Sequence, residues 1–217
     1  MTMTHTSASL AAGKSGIKPL IWLALALWAL AVWSAGAAGV FAPAPAGPPL
    51  ALLAALILPV VLFAAGWWAS AAVRAWALGL DLRLLTALQG WRVIGAGFLF
   101  LYAQGSLPGI FAWPAGLGDL LVGLAAPFVL LAVIHKTAGW QSRVRWLNIA
   151  GLIDFAGAFA TGLLASASSF GILAGSVTTE ILAEPPLIMI PGFAVPLFII
   201  LHVISLLQVS RMGNRAD

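Results

Sequence analysis

The chain has 217 residues, of which 62% are hydrophobic and 7% charged, with a mean hydropathy of +1.08. Soluble domains carry about 25% charged residues, so the composition excludes an ordinary water-soluble globule and calls for a bilayer as solvent for the outward faces. There is no cysteine, which excludes disulfides, thiolate metal sites, iron–sulfur clusters and cysteine nucleophiles. The net charge of +4 sits in short clusters beside apolar runs, a pattern that meets lipid headgroups and argues against nucleic acid as a partner.

Residues 1–17 are polar and small and read as a flexible tail ending on Lys14, with Lys18 beside it. The first span is predicted over 19–41. Its basic front also fits a cleaved signal peptide, but an apolar run this long favours an uncleaved span. The segment APAPAGPP (42–49) reads as a rigid turn before a second span over 50–70. The stretch 71–87 reads as a short amphipathic interfacial helix, with Leu78, Leu82 and Leu85 on one face and Arg74 and Asp81 on another. An extension of the flanking spans is the alternative. Further spans are predicted over 88–102, 115–134, 147–165 and 187–209, with residues 211–217 as a short tail. The segment 166–186 carries Glu180 and Glu184, which read as solvated. The fold class is therefore all-α: a single polytopic membrane bundle over residues 18–210 with about six transmembrane helices.

Nine basic residues (Lys14, Lys18, Arg74, Arg83, Lys136, Arg143, Arg145, Arg211 and Arg215) fall on the side of the N-terminus, and the three connections on the other side have none. By the positive-inside rule both termini are cytoplasmic. Eight of the ten tryptophans sit near predicted span ends, as interfacial anchors do, whereas Trp28 and Trp33 are deeper and read as packing residues.

Four ionisable residues fall at membrane depth: Arg92, Asp119, Asp154 and His202. A charge facing hydrocarbon costs roughly 2.5–3.5 kcal/mol or more, so each should face the bundle interior or water. Asp154 lies nine residues after Arg145, His202 nine before Arg211 and Arg92 nine after Arg83. At the helical rise this puts the first two roughly 13 Å inside the basic side, with Arg92 at that level or shallower. Asp119 is expected nearer the other surface, lining an outer access path. The functional reading is a relay in which Asp154 exchanges protons with His202 while Arg92 holds a carboxylate ionised or binds an anion. The structural reading is a hydrogen-bonded cluster that fixes helix register. A haem on His135 and His202 is disfavoured by their different depths, and no cofactor or metal is expected. The strings Gly116-Leu117-Gly118-Asp119 and Gly151-Leu152-Ile153-Asp154 lie on spans of opposite direction, as in an inverted repeat. No phosphate loop, HExxH or GxSxG occurs, so no catalytic residue is assigned.

The run LDLRLLTALQGWRVIGAGFLFLYAQGSLPGIFAWPAGLGDLLVGLAAPF (80–128), the pattern N-x-x-G-L-x-D (148–154) and L-H-x-x-S-L (201–206) resemble a group of small bacterial multi-pass inner-membrane proteins with no assigned activity. The resemblance implies a bacterial inner-membrane location and carries over no functional residue. The leading expectation is a small permease or transporter-like protein whose polar site is formed by Arg92, Asp154 and His202, with Asp119 lining the outer access path. A structural or partner-binding membrane subunit and an intramembrane enzyme or quinone-binding redox subunit are the alternatives. Partners are the bilayer and a second copy or another membrane protein.

Overall fold

The computed structural model describes residues 7–42 and 47–213. Among these residues the secondary structure is all helical, without strands. The helices are α1 (Ser7–Ala37), α2 (Leu50–Ala69), α3 (Ala71–Leu78), α4 (Leu82–Leu88), α5 (Ala96–Ala103), α6 (Gly109–His135), α7 (Trp140–Leu164) and α8 (Val195–Gly213). A 3-10 segment, Gln89–Gly95, joins α4 to α5, and a π-helical segment, Ile190–Ala194, leads into α8. Among the described residues six stretches are long and apolar enough to cross a membrane: Pro19–Ala37, Leu50–Ala69, Leu82–Ala103, Gly109–His135, Trp140–Leu164 and Ile190–Met212. Large apolar side chains cover their outward faces, among them Trp22, Leu121 and Phe128, each about 70% exposed. Lipid is the solvent that satisfies such a surface.

The spans alternate in direction, so their ends collect in two layers. Leu82, Val133, Val144 and Val209 pack together where the third and fifth spans begin and the fourth and sixth end. Arg74, Arg83, Lys136, Arg143, Arg145 and Arg211 lie on connections or helix ends of that side, called here the basic end. At the opposite loop end, Phe98, Phe111 and Ala115 pack with Leu107 and Leu182.

Small residues draw the middle spans together. A Cβ at Gly123 would lie 2.6 Å from the Val93 nitrogen, and one at Gly116 2.8 Å from Leu99. The third span thus meets α6 nearly backbone to backbone, the close approach that small residues permit between membrane helices. The third span is 3-10 at that point, and side chains three apart eclipse there. Gln89, Arg92 and Gly95 accordingly share one buried face. By contrast α2 contributes no buried residue, so α1 and α2 are peripheral. α1 is pinned near its loop end, where Val32 and Gly36 meet Gly192 and Ile188.

Several predicted boundaries move. α1 is already helical at Ser7, inside the segment expected to be a flexible tail, and residues 1–6 and 214–217 lie outside the described residues. The proline-rich turn is described only at its flanks, since 43–46 also lie outside. The expected interfacial helix over 71–87 is two elements. Asp81 breaks it by capping α4, its Oδ1 accepting from the Arg83 backbone N–H at 2.9 Å, so that 82–88 become the first turns of the third span. The fourth span starts at Gly109, running through Pro114, which costs a single helical hydrogen bond. The expected loop before the fifth span shrinks to Lys136–Gly139, whose ends take positive φ values of 46° and 72°. Trp33, read as a packing residue, is 45% exposed, whereas Trp28 does pack, edge-on to Phe193 at 4.7 Å. The last span opens on a π-helical turn, Ile190–Ala194, ahead of Pro196.

Candidate functional site

Arg92 is 3% exposed at the centre of the bundle, and its guanidinium touches three other spans. Nε donates to Asp119 Oδ1 on α6 at 2.7 Å. Nη2 donates to Asp154 Oδ2 on α7 in a close ion pair. Nη1 donates to the Gly151 carbonyl at 3.3 Å and faces His202 Nε2 on α8 at 3.2 Å. The guanidinium carbon stands 3.9 Å from the centroid of the Phe155 ring, a cation–π contact. Four of the five guanidinium N–H groups are therefore occupied within the protein. Arg92 has little left with which to grip an anion, and the expectation that it binds one is not supported.

His202 is fully buried, and its hydrogen bonds assign its tautomer. Asn148 Nδ2 donates to the Val144 carbonyl at 2.7 Å, which turns Asn148 Oδ1 toward His202 Nδ1, also at 2.7 Å. An amide oxygen only accepts, so Nδ1 carries the proton. Nε2 faces an arginine N–H, so it is the bare acceptor. The imidazole is thus neutral and positioned on both sides. No hydrogen bond joins His202 to Asp154. Arg92 stands between them, which breaks the direct proton exchange expected of that pair.

Glycines make the room. A Cβ at Gly118 would collide with the Asp154 carboxylate, one at Gly95 with Asp119, and one at Gly151 with the His202 ring and, at 2.6 Å, with Arg92 Nη1. The two G-L-x-D strings therefore converge on one guanidinium from antiparallel helices. Asp119, expected above the other three, belongs to the same layer, because α6 starts six residues earlier than predicted and Asp119 is ten residues deep. Asp119 Oδ2 and Asp154 Oδ1 take no hydrogen bond among the described residues.

Above this layer lies a cavity of about 120 Å³, bounded by the ends of α1 and α2, the third span, α6, α7 and the 166–195 segment. Asp119 is its floor. Phe41, Phe98, Phe111, Phe155 and Phe159 are its walls, and Glu180, Ser166 and Ser168 stand at the loop end. Below the layer, toward the basic end, Thr86, Gln89, Asn148, Ser205 and Gln208 are all buried. Gln208 Nε2 donates to the Ala77 and Leu80 carbonyls at 3.0 Å each, tying α8 to the turn before the third span. Gln89 Nε2 and Oε1 and Gln208 Oε1 have no partner among the described residues. Asn148 and Gln208 were not singled out as site residues from the sequence. The available signal was their position as isolated polar residues in apolar runs. His135 lies at the basic end of α6, far along its helix from the layer, and Glu184 is exposed.

The fold and the site define a multi-pass α-helical membrane protein with a buried ionic layer beneath an apolar cavity. The chain matches, over residues 49–210, the family described as a domain of unknown function (DUF8737), and it belongs to that family. No curated protein and no solved structure matches it.

Proposed function

We propose that this protein is a small permease-like carrier of the bacterial inner membrane, with both termini cytoplasmic and the loop end facing outward. The observation that carries the reading is the cavity that runs from the loop end to Asp119 at the ionic layer in mid-bundle. Nearly all the basic residues lie at the other end, as cytoplasmic loops require. Apolar walls with a few convergent polar groups are the ordinary form of a small-molecule site. A volume of about 120 Å³ approaches the roughly 150 Å³ of an engineered cavity that takes benzene. The side chains below the layer close the path to the cytoplasm, which makes this an outward-facing state of an alternating cycle. The paired G-L-x-D helices around Arg92 support an inverted arrangement of the kind carriers use. In this reading Asp119 meets the solute, and Arg92, Asp154 and His202 position it. No cofactor is proposed, and a second copy of the chain is the partner proposed beside the bilayer.

One observation favours a second reading, that of a structural membrane subunit. Arg92 ties four spans together with almost every donor used, as a pure register lock would.

Thiol accessibility separates the two, because the chain has no native cysteine. Ala158→Cys, lining the cavity, should react with an impermeant maleimide applied outside. Ser205→Cys, buried below the layer, should react only from the cytoplasmic side in inverted vesicles, when the inner half opens. A silent Ser205→Cys from both sides would leave the structural reading standing.

A further inference from the structure

The two charged side chains that line the cavity are both acidic. Its lining holds Asp119 at the floor and Glu180 at the mouth and includes no lysine or arginine. The three loop-end connections, 38–49, 104–108 and 165–189, contain no Lys or Arg either, and the last adds the exposed Glu184. At the floor, two carboxylates share one guanidinium, and His202 adds no charge because its Nε2 is the acceptor that faces Arg92. With both carboxylates ionised, the layer carries one negative charge more than the guanidinium neutralises. Among the described residues Asp119 Oδ2 has no donor, while its Oδ1 is held by Arg92.

The walls favour the same sign. Phe41, Phe98, Phe111, Phe155 and Phe159 surround the space, and aromatic faces attract cations, the more so where water is excluded. Phe155 already does so for Arg92 at 3.9 Å. A single-signed, low-dielectric funnel also raises the local concentration of its counter-ion. An anion would meet uncompensated carboxylates and an arginine with one donor left. A neutral solute would leave the Asp119 oxygen without a donor.

Resting on the reading of this cavity as the solute site, we propose that its ligand is a small lipophilic ammonium cation: a protonated amine whose N–H groups donate to Asp119 Oδ2 and whose apolar body packs among the phenylalanines.

The test uses the full-length protein in mild detergent at neutral pH and three probes of one shape. These are benzylamine (a cation), benzyl alcohol (neutral) and benzoate (an anion), with binding read by calorimetry and by the shift of thermal unfolding. Benzylamine should bind saturably and at least about tenfold more tightly than benzyl alcohol, with benzoate weakest, and added salt should weaken the amine selectively. Asp119→Asn should remove most of that preference. Should Asp119→Asn not fold, Glu180→Gln at the exposed mouth should weaken benzylamine by a few-fold without changing benzyl alcohol. Equal binding of amine and alcohol would overturn the cation assignment and leave the cavity as a solute site. Tightest binding of benzoate would overturn it too. Binding of none of the three, with Ala158→Phe indistinguishable from wild type, would overturn both the assignment and the reading beneath it.

Discussion

The two halves of the bundle on either side of Arg92 solve the same problem in opposite ways. Toward the loop end the spans part, and phenylalanines line an open space with one carboxylate at its base. Toward the basic end they close, and neutral polar side chains fill the interior: Thr86, Gln89, Asn148, Ser205 and Gln208, each at most 3% exposed. Buried amides and hydroxyls in membranes mark contacts between helices, since each must find a partner or cost free energy. Phenylalanines around a void are what a ligand can replace with its own contacts. In the proposed carrier, strength and selectivity are divided along the membrane normal, with the ionic layer as the hinge between them.

Removing the hinge should have the largest effect. Arg92→Gln leaves two buried carboxylates without a cation, and breaking a buried pair from one side costs roughly 3–5 kcal/mol. Thermal unfolding in mild detergent should show that loss. Arg92→Gln combined with Asp154→Asn should cost less than the sum of the two, because they share one interaction. Strict additivity would mean that Arg92 and Asp154 do not act together. Next in size is Gly151→Val, which forces a side chain into His202 and Arg92. Overpacking of this kind costs about 1–3 kcal/mol. Gly157→Ala on the same helix, with nothing within 4 Å of the new methyl, should leave stability unchanged and serves as the control.

A third comparison sets the halves directly against each other. His202→Ala orphans Asn148 Oδ1 and an Arg92 N–H on the closed side, and unsatisfied buried groups cost about 1–3 kcal/mol. Asp119→Asn keeps the shape and an acceptor for Arg92 while removing a charge that stands in the cavity. Groups kept for binding are often neutral or stabilising to replace, so Asp119→Asn should unfold no earlier than wild type. If both substitutions destabilise equally, the open half is architecture as well, and the division drawn here fails.

The spans and their number were legible because unbroken apolar runs about 20 residues long have no other use. The shared level of Arg92, Asp154 and His202 was legible by counting residues from flanking arginines. Asp119 was misjudged because its depth was counted from a helix start at residue 115. Two breakers before that point, Pro108-Gly109 and Pro114, read as a turn, yet α6 begins between them and passes through the second. Asp81 had a capping residue's chemistry, but its place in an amphipathic pattern hid the break it makes. The partners Asn148 and Gln208 stayed hidden because neutral polar residues give no topological signal. The cavity could not be read at all. Its phenylalanines follow α1 (Phe41) or lie on α5, α6 and α7, and only the packing of these separate elements brings them together.

The smallest expected effect gives the sharpest test of the closed half. Gln89 is fully buried, one 3-10 turn from Arg92, and both its amide oxygen and its amide nitrogen lack partners among the described residues. If it is a passive filler, Gln89→Leu removes two desolvated polar atoms and keeps the volume, so stability should be unchanged or higher by about 1 kcal/mol. If instead the closed half conducts, Gln89 is where buried water would be held, since orphaned amides are the usual anchors of internal water. Gln89→Leu would then lower stability, or leave it unchanged while abolishing the reactivity of Ser205→Cys from the cytoplasmic side. The expected outcome is that last combination, a neutral unfolding temperature with a silenced inner thiol. It would mean that the closed half is sealed by polar residues because it must open to water. A stabilised Gln89→Leu that leaves the inner thiol reactive would instead assign the inner path to other residues.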